Sequence, residues 1–243
     1  MIETHDLRKR FGPVQALDGV SATFAAGSVS ALIGPNASGK TTLIKCVLGM
    51  VRPDSGSVLF DGRPVGSDWS YREKIGYMPQ IGRFPDNLTI AQLFAFMRDL
   101  RGNPTDLDTG LYDEYGMNAM AGKRLGGLSG GTRQKVGACL AFLFRPSVLI
   151  LDEPTAGLDP LSCEILLRHI RRAQELGTAV ILTSHLMNEV EQLADVVFFL
   201  QDGCIRFRET LETLRRETGE EHLLSALARY LEKQLQPSNP IRA

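Results

Sequence analysis

The chain has no run of residues apolar enough to cross a bilayer. Its longest nearly apolar stretch, 136–144 (VGACLAFLF), is under half of the ~20 residues a membrane helix needs, and Arg145 ends it. Excess charge is also missing: 27 Lys and Arg stand against 28 Asp and Glu, a formal net charge of -1. No bulk field therefore draws the protein to DNA, RNA or anionic lipid, which argues against a nucleic-acid partner. The four cysteines, Cys46, Cys139, Cys163 and Cys204, lie far apart with no CxxC and no nearby histidine that would suggest zinc. That spacing speaks against zinc and against a disulfide framework, and they read as reduced, mostly buried thiols. The first residues, MIETHDLRKRFG, carry charge where a signal peptide has its apolar stretch. The expectation is a cytoplasmic chain, without direct membrane insertion, that meets a membrane only through a partner. Fixed-period repeats and low-complexity tracts are absent as well.

What is present is an ordinary globular composition, 43% hydrophobic and 23% charged over 243 residues, ample for one large domain or two small ones. Short runs rich in Val, Ile and Leu, clearest at 29–33 (VSALI), 148–151 (VLIL) and 179–183 (AVILT), alternate with helical patterns. They predict buried parallel strands of an α/β sheet. Residues 20–24 and 57–60 instead alternate apolar and polar, the latter before an Asp61-Gly62 turn, which predicts an antiparallel β flank. From 82 to 145 helical spacing takes over: 87–89 offer N-cap chemistry, and Ile90, Leu93, Phe94, Met97 and Leu100 fall three or four apart. After Phe207 two short amphipathic helices are expected, the second with a seam of Leu223, Leu224, Leu227, Leu231 and Leu235. The final QPSNPIRA has too little apolar content to fold.

Residues 34–42 (GPNASGKTT) lie between the VSALI strand and a helical run ending near Gly49, and they fit GxxxxGK[ST]. Gly34 and Gly39 let the backbone wrap so that N–H groups of Asn36, Ala37, Ser38, Gly39, Lys40, Thr41 and Thr42 face a polyphosphate, with the helix N-terminus behind them. Lys40 would reach the β and γ phosphates, and the Thr41 hydroxyl would be a magnesium ligand. Asn36-Ala37-Ser38 and Asn87-Leu88-Thr89 also match the glycosylation sequon, a match without meaning in a cytosolic chain. At the end of the apolar 148–151 run stand Asp152 and Glu153. Uncompensated acids are costly at the rim of a buried sheet, so Asp152 is placed to hold magnesium through water and Glu153 to polarise an attacking water. A glycine-rich turn or a solvated turn acid would satisfy either segment alone; together they indicate a magnesium-dependent nucleoside triphosphatase.

Residues 128–134 (LSGGTRQ) resemble the LSGGQ signature of ATP-binding cassette (ABC) proteins. Physically, Ser129 can cap a helix beginning near Gly131 and leave N–H groups free for a phosphate. Order and spacing of further motifs match the family over 2–207. The resemblance implies a P-loop NTPase (RecA-like) α/β core over 1–80 and 146–205, an inserted helical subdomain over 81–145, and a helical extension over 206–243. It implies that Phe11 stacks on adenine, Gln80 touches magnesium or the γ-phosphate, Asp159 is the D-loop aspartate and His185 contacts the γ-phosphate. It also implies that Ser129, Gly130 and Gly131 close over the ATP held by a second cassette, so the cofactors are ATP and Mg2+ and the partner is a second cassette, a copy of this chain or a relative, with intact half-sites favouring a homodimer.

Transporter motors are one branch of that family. Repair-type members carry a long coiled coil between cradle and signature, and no heptads lie here between Lys40 and Ser129; translation-type members carry two cassettes joined by a basic linker. A metabolic kinase would use the cradle without needing Ser129, Asp159 or His185. The expectation is thus a motor subunit, peripheral on the inner face of the cell membrane, serving a separate transmembrane subunit. That subunit's short helix is expected to dock at 82–88, beside Gln80, on exposed Phe84 and Pro85. The GKTT cradle end and the LSGGTRQKV form resemble exporter-type ATPases; the stretches IGYMPQIGRFPDNLTI, SHLMNEVEQLADVVFFLQDG and CIRF resemble the ATPase that serves nitrous oxide reductase maturation and its copper site.

Overall fold

A computed structural model describes residues 1–66 and 69–235. Strands β1 (Ile2–Phe11) and β2 (Val14–Phe24) open the chain as a hairpin, and β3 (Val29–Ile33) runs into helix α1 (Lys40–Val47). Strands β4 (Ser55–Phe60), β5 (Arg63–Pro64) and β6 (Ile75–Met78) precede helices α2 (Ile90–Leu100), α3 (Gly110–Glu114) and α4 (Gly130–Phe142). Then come β7 (Val148–Asp152), α5 (Pro160–Glu175), β8 (Ala179–Thr183), α6 (Met187–Leu193), β9 (Val196–Gln201), β10 (Cys204–Thr210), α7 (Leu211–Thr218) and α8 (Leu223–Leu235). Among the described residues no helix is long and apolar enough to cross a membrane.

The alternating segments pair as an antiparallel sheet in the order β2-β1-β4-β5, the expected flank. The apolar runs form a second sheet, β10-β9-β3-β8-β7-β6, parallel except for edge strand β10. Every residue of β3, β7 and β8 is buried, which is why these strands read as continuous apolar runs. Each still has two faces. Val148 and Ile150 of β7 enter a core shared with α1 and the flank, whereas Leu149 and Leu151 enter one shared with α2, α4 and α5.

Helix α2 begins as its sequence dictates. The Thr89 side chain accepts from the Gln92 N–H at 3.2 Å while the Gln92 side chain accepts from the Thr89 N–H at 2.9 Å, a reciprocal capping box. Its buried Ile90, Leu93 and Phe94 each stabilise the packing by about 1.5–3 kcal/mol. Leu100 does not continue the expected stripe: it is 68% exposed, in the last turn, where the helix overruns its core.

The C-terminal seam also differs from expectation. Leu223, Ala226, Leu227 and Tyr230 are buried against α6, β10 and α7, whereas Leu224, one residue off that face, is 66% exposed. Helices start only at Leu211, so position 206, the expected start of the extension, falls inside β10. The expectations for the Leu235 side chain and for 236–243 lie outside the described residues.

Candidate functional site

The carboxyl ends of β3, β7 and β8 bring the phosphate loop, the acid pair and the histidine to one edge of the parallel sheet, the edge where such sheets bind ligands. Gly34 has φ 147, and a Cβ there would collide with the Leu200 carbonyl; Gly39 has φ 110, and its Cβ would run into the Ala16 carbonyl. Both glycines are therefore required by conformation and by close approach. Gly39 is the N-cap of α1 and supplies no side-chain cap bond, which leaves first-turn N–H groups open to an anion. Ser38 is buried and its Oγ has no hydrogen-bond partner among the described residues.

Lys40 Nζ donates to the carbonyls of Gly34 at 2.7 Å and Pro35 at 2.9 Å, inside the curve of the loop. Burial lowers its pKa below the ordinary lysine value, and the neighbouring Glu153 and Asp152 push it back up. In the same first turn of α1, Thr41 is exposed and Thr42 half-buried.

Asp152 closes β7, 8% exposed, and accepts from Thr183 Oγ1 of the paired strand at 2.5 Å. Glu153 follows with φ 52, a left-handed backbone that costs a non-glycine residue about 1–3 kcal/mol unless its surroundings fix it. They do: its N–H donates to Thr183 O at 3.1 Å and to Thr183 Oγ1 at 3.2 Å, and its carbonyl accepts from Gln134 Nε2 at 3.1 Å. Its side chain then meets His185, with Oε1 3.2 Å from Nε2 and Oε2 accepting from the His185 N–H at 3.4 Å.

Gln80 is exposed, two residues past the end of β6, whose Met78 pairs with Leu151 of β7. Thr41, Gln80 and Asp152 offer hard oxygen donors, and among the described residues no group of three or more acids, histidines or cysteines is arranged to hold a metal ion by itself. This donor set fits magnesium, which takes one or two carboxylates and completes its shell with water and phosphate oxygens. Phe11 stands at the tip of the β1–β2 hairpin, 47% exposed, with Lys9 Nζ 5.4 Å from its ring centroid.

Ser129, Gly130 and Gly131 stand at the start of α4. Among the described residues no hydrogen bond joins them to 34–42. Exposed Ser129 caps α4, its Oγ accepting from the Thr132 N–H at 3.3 Å, as its sequence suggests. A Cβ on Gly131 would lie 2.7 Å from the Gly157 carbonyl, so glycine there admits the loop after Glu153. Asp159 caps α5, accepting from the Ser162 N–H at 3.0 Å, and takes Lys135 Nζ at 3.0 Å; Ser162 first and Lys135 second hold its carboxyl well below the usual range. His169 is buried against Glu114 at 3.0 Å, and that contact lowers the Glu114 carboxyl. Cys46 and Cys139 are buried, Cys163 and Cys204 half-buried, and burial pushes the Cys46 thiol up to about 11.

In the surface at 82–88, Pro85 is exposed as expected and Phe84 is not. Phe84 is half-buried against the core of α2 and α4, beside Met78 and Gly137, and the exposed apolar side chain next to Gln80 is Ile81, at 66%. Gly82 explains it: the missing Cβ lets the Phe84 ring fold back over the chain. Gln134 and Thr183, which brace Glu153, were not singled out by the sequence. A signal existed for Gln134, which shares a helical face with the buried Ala138 and Ala141.

Comparison with known proteins places this geometry. The sequence profile described as ABC transporter matches residues 17–156, and one described as an AAA domain matches 124–191. The chain is 35% identical over 235 residues to the ribose import ATP-binding protein RbsA of Pseudomonas putida, covering 92% of this chain and 45% of that protein, so it spans about half the length of that relative. It is 32% identical over 207 residues to the lantibiotic transport ATP-binding protein SrtF of Streptococcus pyogenes, covering 84% of this chain and 89% of that one. A solved structure of an ATP-binding subunit of an ABC transporter superposes with a TM-score of 0.87 at 27% identity, covering 96% of this chain and 98% of that one.

Proposed function

This chain belongs to the ABC transporter family of ATP-binding, ATP-hydrolysing cassettes, and from that premise we propose that it is the motor of a membrane transporter, working as a pair of cassettes on a separate transmembrane subunit. One observation carries the reading: Lys40, Asp152, Glu153 and His185 share one edge, while Ser129 and Gly130 stand exposed at the start of α4 with no hydrogen bond to that edge among the described residues. A single chain thus holds the cradle and base of one site and the signature of another.

In this reading the N–H groups of 36–42 and the Lys40 ammonium bind the β and γ phosphates, the unpartnered Ser38 Oγ adds a donor, and Phe11 stacks on adenine. Thr41, Asp152 and Gln80 are the oxygen donors for magnesium, which when bound neutralises phosphate charge and orients the phosphates. Glu153 takes the proton of the attacking water, and its contact with His185 fixes the carboxylate's direction while His185 faces the γ-phosphate. Ser129, Gly130 and Gly131, with the N-terminus of α4, act on ATP held by the second cassette, and Asp159 lies beside that interface. The second cassette is a copy of this chain, because both half-sites are intact in it.

The assembled motor sits on the cytoplasmic face of the cell membrane. The transmembrane subunit meets the surface beside Gln80, where Ile81 is exposed. The finer reading, an exporter-type system for nitrous oxide reductase maturation and its copper site, rests on the sequence stretches quoted above; the relatives named here serve ribose and lantibiotic. Loss of copper loading of that reductase on deleting this chain is its test.

For the core reading, Glu153→Gln is expected to bind ATP without turning it over, measured by phosphate release and by retained nucleotide. Full hydrolysis by that variant would falsify the role of Glu153. A mild-detergent pull-down is expected to recover a membrane protein, and ribosomes or DNA in its place would overturn the transport reading.

A further inference from the structure

Glu189 lies in the first turn of α6, four residues after His185, and its carboxylate joins two loops. One oxygen, Oε1, accepts from the Thr155 hydroxyl, two residues past Glu153; the other, Oε2, accepts from the Ser184 hydroxyl at 3.1 Å. Ser184 Oγ in turn accepts from the Leu186 N–H at 3.0 Å, so the turn carrying His185 closes on the same group. Thr155 and Ser184 are 5% and 3% exposed. Buried hydroxyls donating to a carboxylate make charge-assisted bonds, and truncating the acceptor leaves both donors unsatisfied.

Each end of this linkage is anchored. Ala156 N–H donates to the Glu153 carbonyl at 3.2 Å and Leu158 N–H to the Thr155 carbonyl at 3.0 Å, so 153–158 is one hydrogen-bonded turn leading to Asp159. Fully buried Val190, next to Glu189, fixes α6 in the core under α7 and α8. An acid in the first turn of a helix is also favoured by the helix dipole alone, and that bland role predicts no link between the loops.

We propose that Glu189 is a positioning residue that ties the 153–159 turn and the 184–186 turn into one unit, so that Glu153, Asp159 and His185 shift together. Its consequence for turnover rests on the function proposed above, whereas the linkage does not. A movement of Asp159 against a second cassette would then reach the base and the histidine of its own site without passing through the phosphate loop.

Hydrogen exchange on the full chain without nucleotide tests the linkage. Glu189→Ala is expected to speed exchange in 155–159 and 184–186 together, by about tenfold or more, with 34–42 unchanged. Thr155→Val in that background is expected to add nothing, the non-additivity of a shared contact. Glu189→Gln, which keeps one acceptor oxygen, is expected to fall between. In turnover, Glu189→Ala is expected to lower kcat about tenfold with KM for ATP within about twofold. Faster exchange in only one segment, or throughout the chain with a lowered Tm, would overturn the proposal, as would an unchanged kcat. If the wild-type chain itself showed no turnover, the functional reading would fall and the exchange result alone would decide the linkage.

Discussion

The phosphate loop and the signature turn are made of the same materials, glycines, a serine hydroxyl and the free N–H groups of a helix N-terminus, and they end in opposite surroundings. At the loop, Ser38 is buried with its hydroxyl unpartnered, and α1 starts from a glycine that gives it no side-chain cap. At the signature, Ser129 is exposed and its hydroxyl already accepts from α4. One helix end has no side-chain cap and lies beside Lys40 and two acids; the other has a serine cap on one N–H, the remaining first-turn N–H groups left free, and an exposed Ser129. The difference fits the proposed site shared between two chains, since among the described residues no hydrogen bond joins the signature turn to 34–42.

Breaking the inward half should have the largest effects. Glu153→Gln is expected to lower kcat by about 10²–10⁴ while leaving ATP bound, read by phosphate release against nucleotide retention. Lys40→Ala should abolish binding itself: at about 100 times its Kd, Mg-ATP stabilises a folded cassette by about 2.7 kcal/mol, and this thermal shift should vanish in the variant.

Changes to the outward half should separate stability from affinity. Ser129→Ala removes a cap worth about 1 kcal/mol, seen as a lower Tm, and should reduce turnover without changing the ATP affinity of a single cassette. Phe11→Ala should weaken nucleotide binding by about 1 kcal/mol, measured by titration with ATP, without changing kcat at saturation.

The smallest effect concerns Asp159. Its carboxyl lies below the ordinary aspartate value in the fold, so it favours the folded state above about pH 4 and loses that contribution as pH falls through its depressed value. Asp159→Asn should flatten this acid limb, read as Tm against pH.

Much of this was legible in the sequence because it depends on local rules. Gly34, Gly39, Lys40 and Ser129 carry their geometry in the chain around them, and buried strands such as β3 and β7 announce themselves as apolar runs. What escaped depends on tertiary placement. Glu189 looks like an ordinary polar helix residue, and Gln134 like the last letter of the signature, until β7 and β8 bring Glu153, Thr155 and Ser184 to them. Phe84 looked like a docking side chain because nothing in its neighbours shows that Gly82 lets it fold back, and Leu224 looked like core because a leucine-rich helix does not mark where its face ends.

The central claim is that the outward signature completes the inward cradle of another copy. The most direct measurement is the solution mass of Glu153→Gln by light scattering, with and without Mg-ATP. The expected result is a monomer that doubles its mass on binding ATP, and that stays monomeric with ATP still bound once Ser129→Arg is added. A Glu153→Gln chain saturated with ATP and still monomeric would contradict the account.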